Sequence, residues 1–256
     1  MNAFIPLVTF TSVTTFENCP KQSAFIAQAT PYPFRGAAVM GNAVHAAAEQ
    51  SINTLRAGQW PNLEDLNAAL ELAARTWEPA MQAPTPADDL NGLIEQGRRS
   101  LELFYRHLLP TLARRDELQA ERPVRLHLSD EQGTVQVSGR LDVTFLNPQG
   151  RRVVLDLKTG PAHPRRRSPQ LGVYTAAMRA ETGEDAEAFL VHLDPNQPEP
   201  VSLAYDATRL NADLADLMTG ARALTSAKRF PARPGPLCPY CGYRSRCMEG
   251  QAAKPA

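Results

Sequence analysis

The chain is 256 residues long, 43% hydrophobic and 21% charged. That balance excludes a disordered polymer and suits one large domain or two small ones. Basic and acidic residues cancel at a net charge of zero, so no molecule-wide positive field draws in nucleic acid and any such contact must use local patches.

The opening MNAFIPLVTF is apolar but lacks a basic leader and a cleavage site, so it does not read as a signal peptide. No apolar run approaches a membrane span, so no membrane partner is expected. A cytoplasmic setting follows by default. There, four cysteines that include a CxxC pair point to metal or redox chemistry more than to disulfides.

The front half reads as helices. Ser12 to Glu17 offers a hydroxyl cap with an acid shortly after, followed by Phe16, Cys19, Phe25 and Ile26. A second helix follows Gly36. Two more are predicted over 63–81 and 91–115, and Pro84 and Pro86 mark a loop between them. The pattern then changes to alternation. Pro123 to Leu128 reads as a half-buried strand, Thr134 to Leu146 as a long one, and Val153 to Leu157 as one buried on both faces. Turns are expected at 129–133 and 147–150. Residues 168–182 read as a helix, 188–193 as a strand and 207–227 as a helix. A helix between the third and fourth strands suits a crossover within one mixed sheet. The Pro- and Gly-rich tail from Pro231 holds Cys238, Cys241 and Cys247. Four basic patches, Arg151-Arg152, Arg165 to Arg167, Lys228-Arg229 and Arg244/Arg246, read as solvated surface.

Strand geometry puts Asp156 and Lys158 on one face, two positions apart. Burying that pair in an apolar strand is costly unless the charges bind something. Asp142 lies on the preceding strand, and a hairpin would bring it to Asp156 at the sheet edge. Two carboxylates suit a hard divalent ion such as Mg²⁺, with Lys158 placed to orient or deprotonate a water. The ordinary alternative is a set of ion pairs, Asp142 with Arg140 or Lys158. His45 lies on an apolar helix face, where a lone histidine is more often structural than a ligand. Gln170 and Tyr174 are four apart on one helix face and could hold a phosphate or a water. Cys238-Pro239-Tyr240-Cys241, with Cys247 and the early Cys19, could furnish four thiolates for zinc or for an iron–sulfur cluster.

In order, the chain shows His45, then Gly139-Arg140-Leu141-Asp142, then Asp156-Leu157-Lys158, then Gln170-Leu171-Gly172-Val173-Tyr174. The set resembles the PD-(D/E)XK nuclease superfamily, and within it the RecB/AddB/Cas4-like branch, along nearly the whole chain. The resemblance implies an α/β fold with a restriction-endonuclease-like αβββαβ core on a mixed central sheet. One nuclease domain over 1–256 is implied, with a helical N-terminal cap over 1–118, a core over 119–227 and a cysteine tail over 228–256. It implies Mg²⁺- or Mn²⁺-dependent hydrolysis of DNA phosphodiesters, with His45, Asp142, Asp156 and the Leu157 carbonyl as metal ligands. Lys158 would be the catalytic lysine, assisted by Gln170 and Tyr174. Glu121, read as lying just before the first core strand, is a further candidate acid. The branch has one early cysteine, in a Cys-Pro context like Cys19-Pro20, and three late ones. The resemblance therefore favours a 4Fe–4S cluster on Cys19, Cys238, Cys241 and Cys247, with zinc as the alternative.

The expected activity is an exonuclease on single strands or DNA ends; a non-catalytic DNA-binding adaptor with a structural zinc site is the rival. No G-x-x-x-x-G-K-S/T signature occurs, so unwinding would need a helicase partner. CRISPR-adaptation proteins are the other candidate partners.

Overall fold

The computed structural model describes residues 5–28, 36–77, 89–163 and 168–253. The expected loop at Pro84 and Pro86, the end of the 63–81 helix and the Arg165–Arg167 patch lie outside these residues. Six strands form one mixed sheet: β1 (Leu7–Thr9), β2 (Asp116–Asp130), β3 (Gly133–Leu146), β4 (Arg152–Lys158), β5 (Ala186–His192) and β6 (Val201–Ala204). The order is β1-β3-β4-β5-β6, and β2 pairs β3 along its other flank. β4 and β5 run parallel, joined by the crossover helix α7 (Pro169–Thr182).

Helices cover both faces. On one, α3 (Gly36–Arg56), α4 (Leu63–Trp77), α5 (Leu90–Leu103) and α6 (Leu109–Leu112) pack on Val143, Val153, Leu155 and Leu157. On the other, α1 (Phe10–Asn18), α7 and α8 (Leu210–Ser226) pack on Val137, Leu141, Val154 and Leu190. The N-terminal segment is thus split between two layers, and its strand β1 joins the sheet beside β3.

Local chemistry explains where the elements depart from the alternation pattern. The first helix is capped by Thr9, which exchanges hydrogen bonds with Ser12, so it begins before the predicted Ser12 cap. It stops at Cys19, extended at φ −158°, ψ 102°, because the following Pro20 disfavours helical backbone there. Pro20 then opens α2 (Pro20–Ala27). The expected 91–115 helix is likewise interrupted. Pro110 lacks an N–H and crowds the preceding turn, and a π-helical stretch, Phe104–Leu108, takes up the misfit before α6. Arg152, read as solvated, is buried and bonds Glu117 through Nη2 at 2.5 Å.

One irregularity shapes the middle of the sheet. β1 pairs β3 at Gln136–Ser138, and β4 pairs the same flank of β3 at Val143–Leu146. Residues 139–142 between them have no strand partner on that flank. On the other flank the β2 ladder runs Ala120↔Val143 and Arg122↔Leu141 but skips Glu121 and Asp142. Glu121 has φ 49°, a left-handed backbone that non-glycine residues rarely adopt. Leu141 and Val143, two apart, join different core clusters, so β3 changes which helical layer it feeds at Asp142.

Candidate metal centre and thiol cluster

The gap in the sheet is where the polar groups gather. At Asp142 the strands β3 and β4 part, and the Asp142 carboxylate takes over from the ladder. Its Oδ2 accepts the backbone N–H of Leu157 at 2.7 Å. Its Oδ1 lies 3.5 Å from Nδ1 of His45, and Glu121 Oε1 lies 3.9 Å from the same nitrogen. Among the described residues, His45, Glu121 and Asp142 form the group of three whose ligand atoms all lie within 4.8 Å of one another. The carboxylates come together inside the sheet, where two strands fork, rather than at the predicted sheet edge. Glu121 is within β2, not ahead of it.

α3 delivers the imidazole. Its buried residues Val39, Met40, Ala43, Val44, Ala47 and Ala48 recur at helical spacing and press the helix on the sheet. Gly41, one turn before His45, approaches Thr159 just beyond β4; a Cβ there would meet the Thr159 hydroxyl at 3.7 Å.

Asp156 is 2% exposed and ion-paired with Lys158, whose side chain is 41% exposed. Asp156 Oδ2 makes no hydrogen bond of good geometry. Burial pushes the Asp156 carboxyl up; the Lys158 charge opposes this and the Asp142 charge adds to it. For His45, burial alone favours the neutral ring, but the Asp142 and Glu121 carboxylates outweigh it and raise the imidazole to about 10. Without an ion, the positive charges of His45 and Lys158 therefore offset part of the acids' charge. That arrangement suits a divalent cation: three acids lie around one imidazole, and the buried Asp156 Oδ2 is held by the Lys158 ammonium alone.

Gln170 Nε2 donates to the Tyr174 hydroxyl at 2.6 Å. Tyr174 is pushed well above its ordinary range, first by burial and then by the Asp156 and Asp142 charges, so its hydroxyl stays protonated beside them. Gly139 makes room for its ring. A Cβ on Gly139 would approach Tyr174 Cε1 to 3.1 Å. Of Leu157, the backbone N–H is the group that meets Asp142.

Two further groups border the site. Arg140 pairs with Glu121, not with Asp142, its Nη1 3.2 Å from Oε2. His192 faces Lys158 across the β4–β5 ladder, and its Nδ1 bonds the Gly160 carbonyl at 2.9 Å. Neither is separable by spacing from an ordinary surface arginine or buried histidine.

The second cluster is at the foot of α1. Cys19, Cys238, Cys241 and Cys247 are free and line one cavity of about 250 Å³ with Phe25, Tyr243 and neighbouring residues. The tail clamps onto α1 and α2. Lys21 pairs Glu249 at 2.7 Å, Phe25 stacks on Tyr243 at 5.1 Å, and Phe16 meets Phe230 edge-on at 5.9 Å. Two sulfurs accept backbone N–H groups, Cys238 from Gly235 and Cys247 from Gly250, each at 3.3 Å. Burial, then the neighbouring cysteines, pushes the Cys241 thiol up. Inward sulfurs with amide donors suit thiolate ligation of a cation.

Among the described residues, no helix is long and apolar enough to cross a membrane. The sequence profile of the PD-(D/E)XK nuclease superfamily matches residues 8–248. A crystal structure of a Eubacterium rectale protein named "Putative exonuclease" is similar at TM-score 0.58 and 14% identity, covering 91% of this chain and 86% of that one. At that identity the likeness is one of fold. The crystal structure of SSO0001 covers 97% of this chain and 88% of its own, at 14% identity and TM-score 0.48, too low to carry an argument. No curated protein sequence matches.

Proposed function

Because the chain belongs to the PD-(D/E)XK nuclease superfamily, we propose that it is a metal-dependent deoxyribonuclease of the RecB/AddB/Cas4-like branch, acting on single strands or DNA ends. The observation that carries this reading is the convergence of His45, Glu121 and Asp142 at the fork where β4 brings in Asp156 and Lys158. His45, Glu121, Asp142 and Asp156 would hold Mg²⁺ or Mn²⁺. The ion, when bound, supplies Lewis-acid polarisation of a phosphoryl oxygen and acidifies a water.

The chain's own groups do the rest. Asp156 fixes the Lys158 ammonium where negative charge builds on the phosphoryl oxygens. Gln170 steadies the Tyr174 hydroxyl as a neutral donor at the same site. His45 gives up its proton to become a ligand, since an imidazolium has no lone pair to offer. An end-directed activity takes its support from the shared fold with the Eubacterium rectale protein.

The tail cysteines and Cys19 would hold a 4Fe–4S cluster. The four thiols line one cavity, and a cluster held there would tie α1 to the tail.

The test is Mg²⁺- or Mn²⁺-dependent digestion of end-labelled single- and double-stranded DNA, wild type beside Lys158→Ala. Metal-dependent cleavage that the variant loses by about 10²- to 10⁴-fold supports the reading. No digestion of any substrate by metal-loaded wild type points to the non-catalytic adaptor.

A further inference from the structure

We propose that Arg140 is a phosphate-binding residue held in reserve by Glu121 and released to the DNA backbone when a divalent ion takes that carboxylate. The inference rests on the nuclease reading above and adds a switch between ion loading and DNA capture.

Glu121 faces two ways. Oε1 approaches the His45 imidazole at 3.9 Å, inside the ligand group. Oε2 lies 3.2 Å from Nη1 of Arg140. The carboxylate is 17% exposed, whereas the Arg140 side chain is 67% exposed. One acid thus joins a buried cation to a solvated one. Its left-handed backbone, φ 49°, is strained in a non-glycine residue, and such strain clusters where the aim of a side chain matters.

Arg140 is also open to a ligand. It belongs to residues 139–142, the stretch of β3 that neither β1 nor β4 covers. Its neighbour Gly139 abuts Tyr174, and Asp142 is two residues on, so the guanidinium stands beside the catalytic groups.

The energetics favour exchange. The Arg140 end of the pair is solvated, so once an ion occupies the half-buried Glu121 carboxylate the guanidinium leaves at little cost. A divalent ion on Glu121 neutralises the charge that holds the guanidinium. The planar fork then meets phosphate oxygens in two parallel hydrogen bonds, a geometry lysine cannot supply. By linkage, DNA held by Arg140 strengthens ion binding to the same degree.

The experiment measures binding of a fluorescein-labelled single-stranded oligonucleotide by anisotropy, with Ca²⁺ as the probe ion and again with EDTA. Arg140→Gln is expected to weaken binding about tenfold in Ca²⁺, from one lost charge-assisted contact, and about twofold or less in EDTA. In Ca²⁺ its slope of log affinity against log salt flattens by about 0.7, one phosphate on a single strand. Arg140→Lys recovers part of the loss, and Glu121→Gln raises affinity in EDTA. Equal affinities of wild type and Arg140→Gln in Ca²⁺ overturn the proposal. Equal losses in Ca²⁺ and EDTA overturn the release step. Wild type that binds no DNA in Ca²⁺ removes the nuclease reading itself, a result distinct from failure at Arg140.

Discussion

Asp142 continues a β-ladder with its side chain: its Oδ2 takes the Leu157 N–H at 2.7 Å just past Val143↔Leu155, the last backbone pairing between β3 and β4. One carboxylate oxygen is structural and the other faces His45. Asp142→Ala leaves that amide without its acceptor and should destabilise the metal-free protein by about 1–3 kcal/mol, with roughly 2–4 °C of Tm per kcal/mol at this size. Asp142→Asn retains an acceptor for that amide but loses the charge that holds the His45 imidazolium, so it should melt between Asp142→Ala and wild type and bind Mn²⁺ weakly in calorimetric titration. Equal melting of Asp142→Ala and wild type would show that the amide finds another partner.

His45 gives the metal-free protein a pH signature. Its folded pKa, about 10, lies above the ordinary value of 6.5. The charged imidazole therefore adds stability that is fully present below about 6.5 and is lost as pH rises through about 10. In EDTA the Tm should fall across that window, and His45→Gln should flatten the fall. Mn²⁺ affinity should move the opposite way, rising up to tenfold per pH unit below about 10, because the ion displaces that proton. A pH-independent affinity across this range would refute the His45 assignment.

The thiol cluster predicts colour and a dependence on both ends of the chain. Anaerobically purified protein should be brown and contain iron and sulfide in equal amounts. Cys19→Ser and Cys247→Ala should each bleach it and lower the Tm by several degrees, since either change unlinks α1 from the tail. A colourless, zinc-loaded and fully active preparation would reject the iron–sulfur assignment.

His192 should act through Lys158. A carbonyl only accepts, so the Nδ1 that bonds Gly160 carries its hydrogen. The adjacent Leu193 N–H donates to the Lys158 carbonyl at 2.7 Å. Both bonds fix the end of β4. If Lys158 acts as proposed, His192→Leu should lower kcat roughly tenfold with little change in KM, because a small misplacement of its ammonium is costly. His192→Asn, which keeps a donor near the Nδ1 position, should recover part of the rate. A change in KM alone would place His192 in substrate binding.

Much of the core was legible because its side chains obey simple periods. β3 announced itself as a long strand, β4 as a short apolar run buried on both faces and α7 as a helix between strands, and Asp142, Asp156 and Lys158 stood out as charges within apolar strands. β1 and β6 were not legible: at three and four residues they are too short to show a period. The place of Glu121 was hidden for another reason. It depends on a left-handed residue inside a strand and on β3 switching layers at Asp142, and composition signals neither. The two-way role of Glu121, between His45 and Arg140, is a product of the same kink. The tail was legible as ligands but not as packing, since the Phe25–Tyr243 and Phe16–Phe230 contacts join segments remote in sequence.

The fork between β3 and β4 draws its acids and imidazole from positions 45, 121, 142 and 156. No single segment emerging from a ribosome carries a workable subset. A chain grown only through β2 holds His45 and Glu121 but neither Asp142 nor Asp156. The four meet only once β4 has paired with β3 and α3 has packed against the sheet.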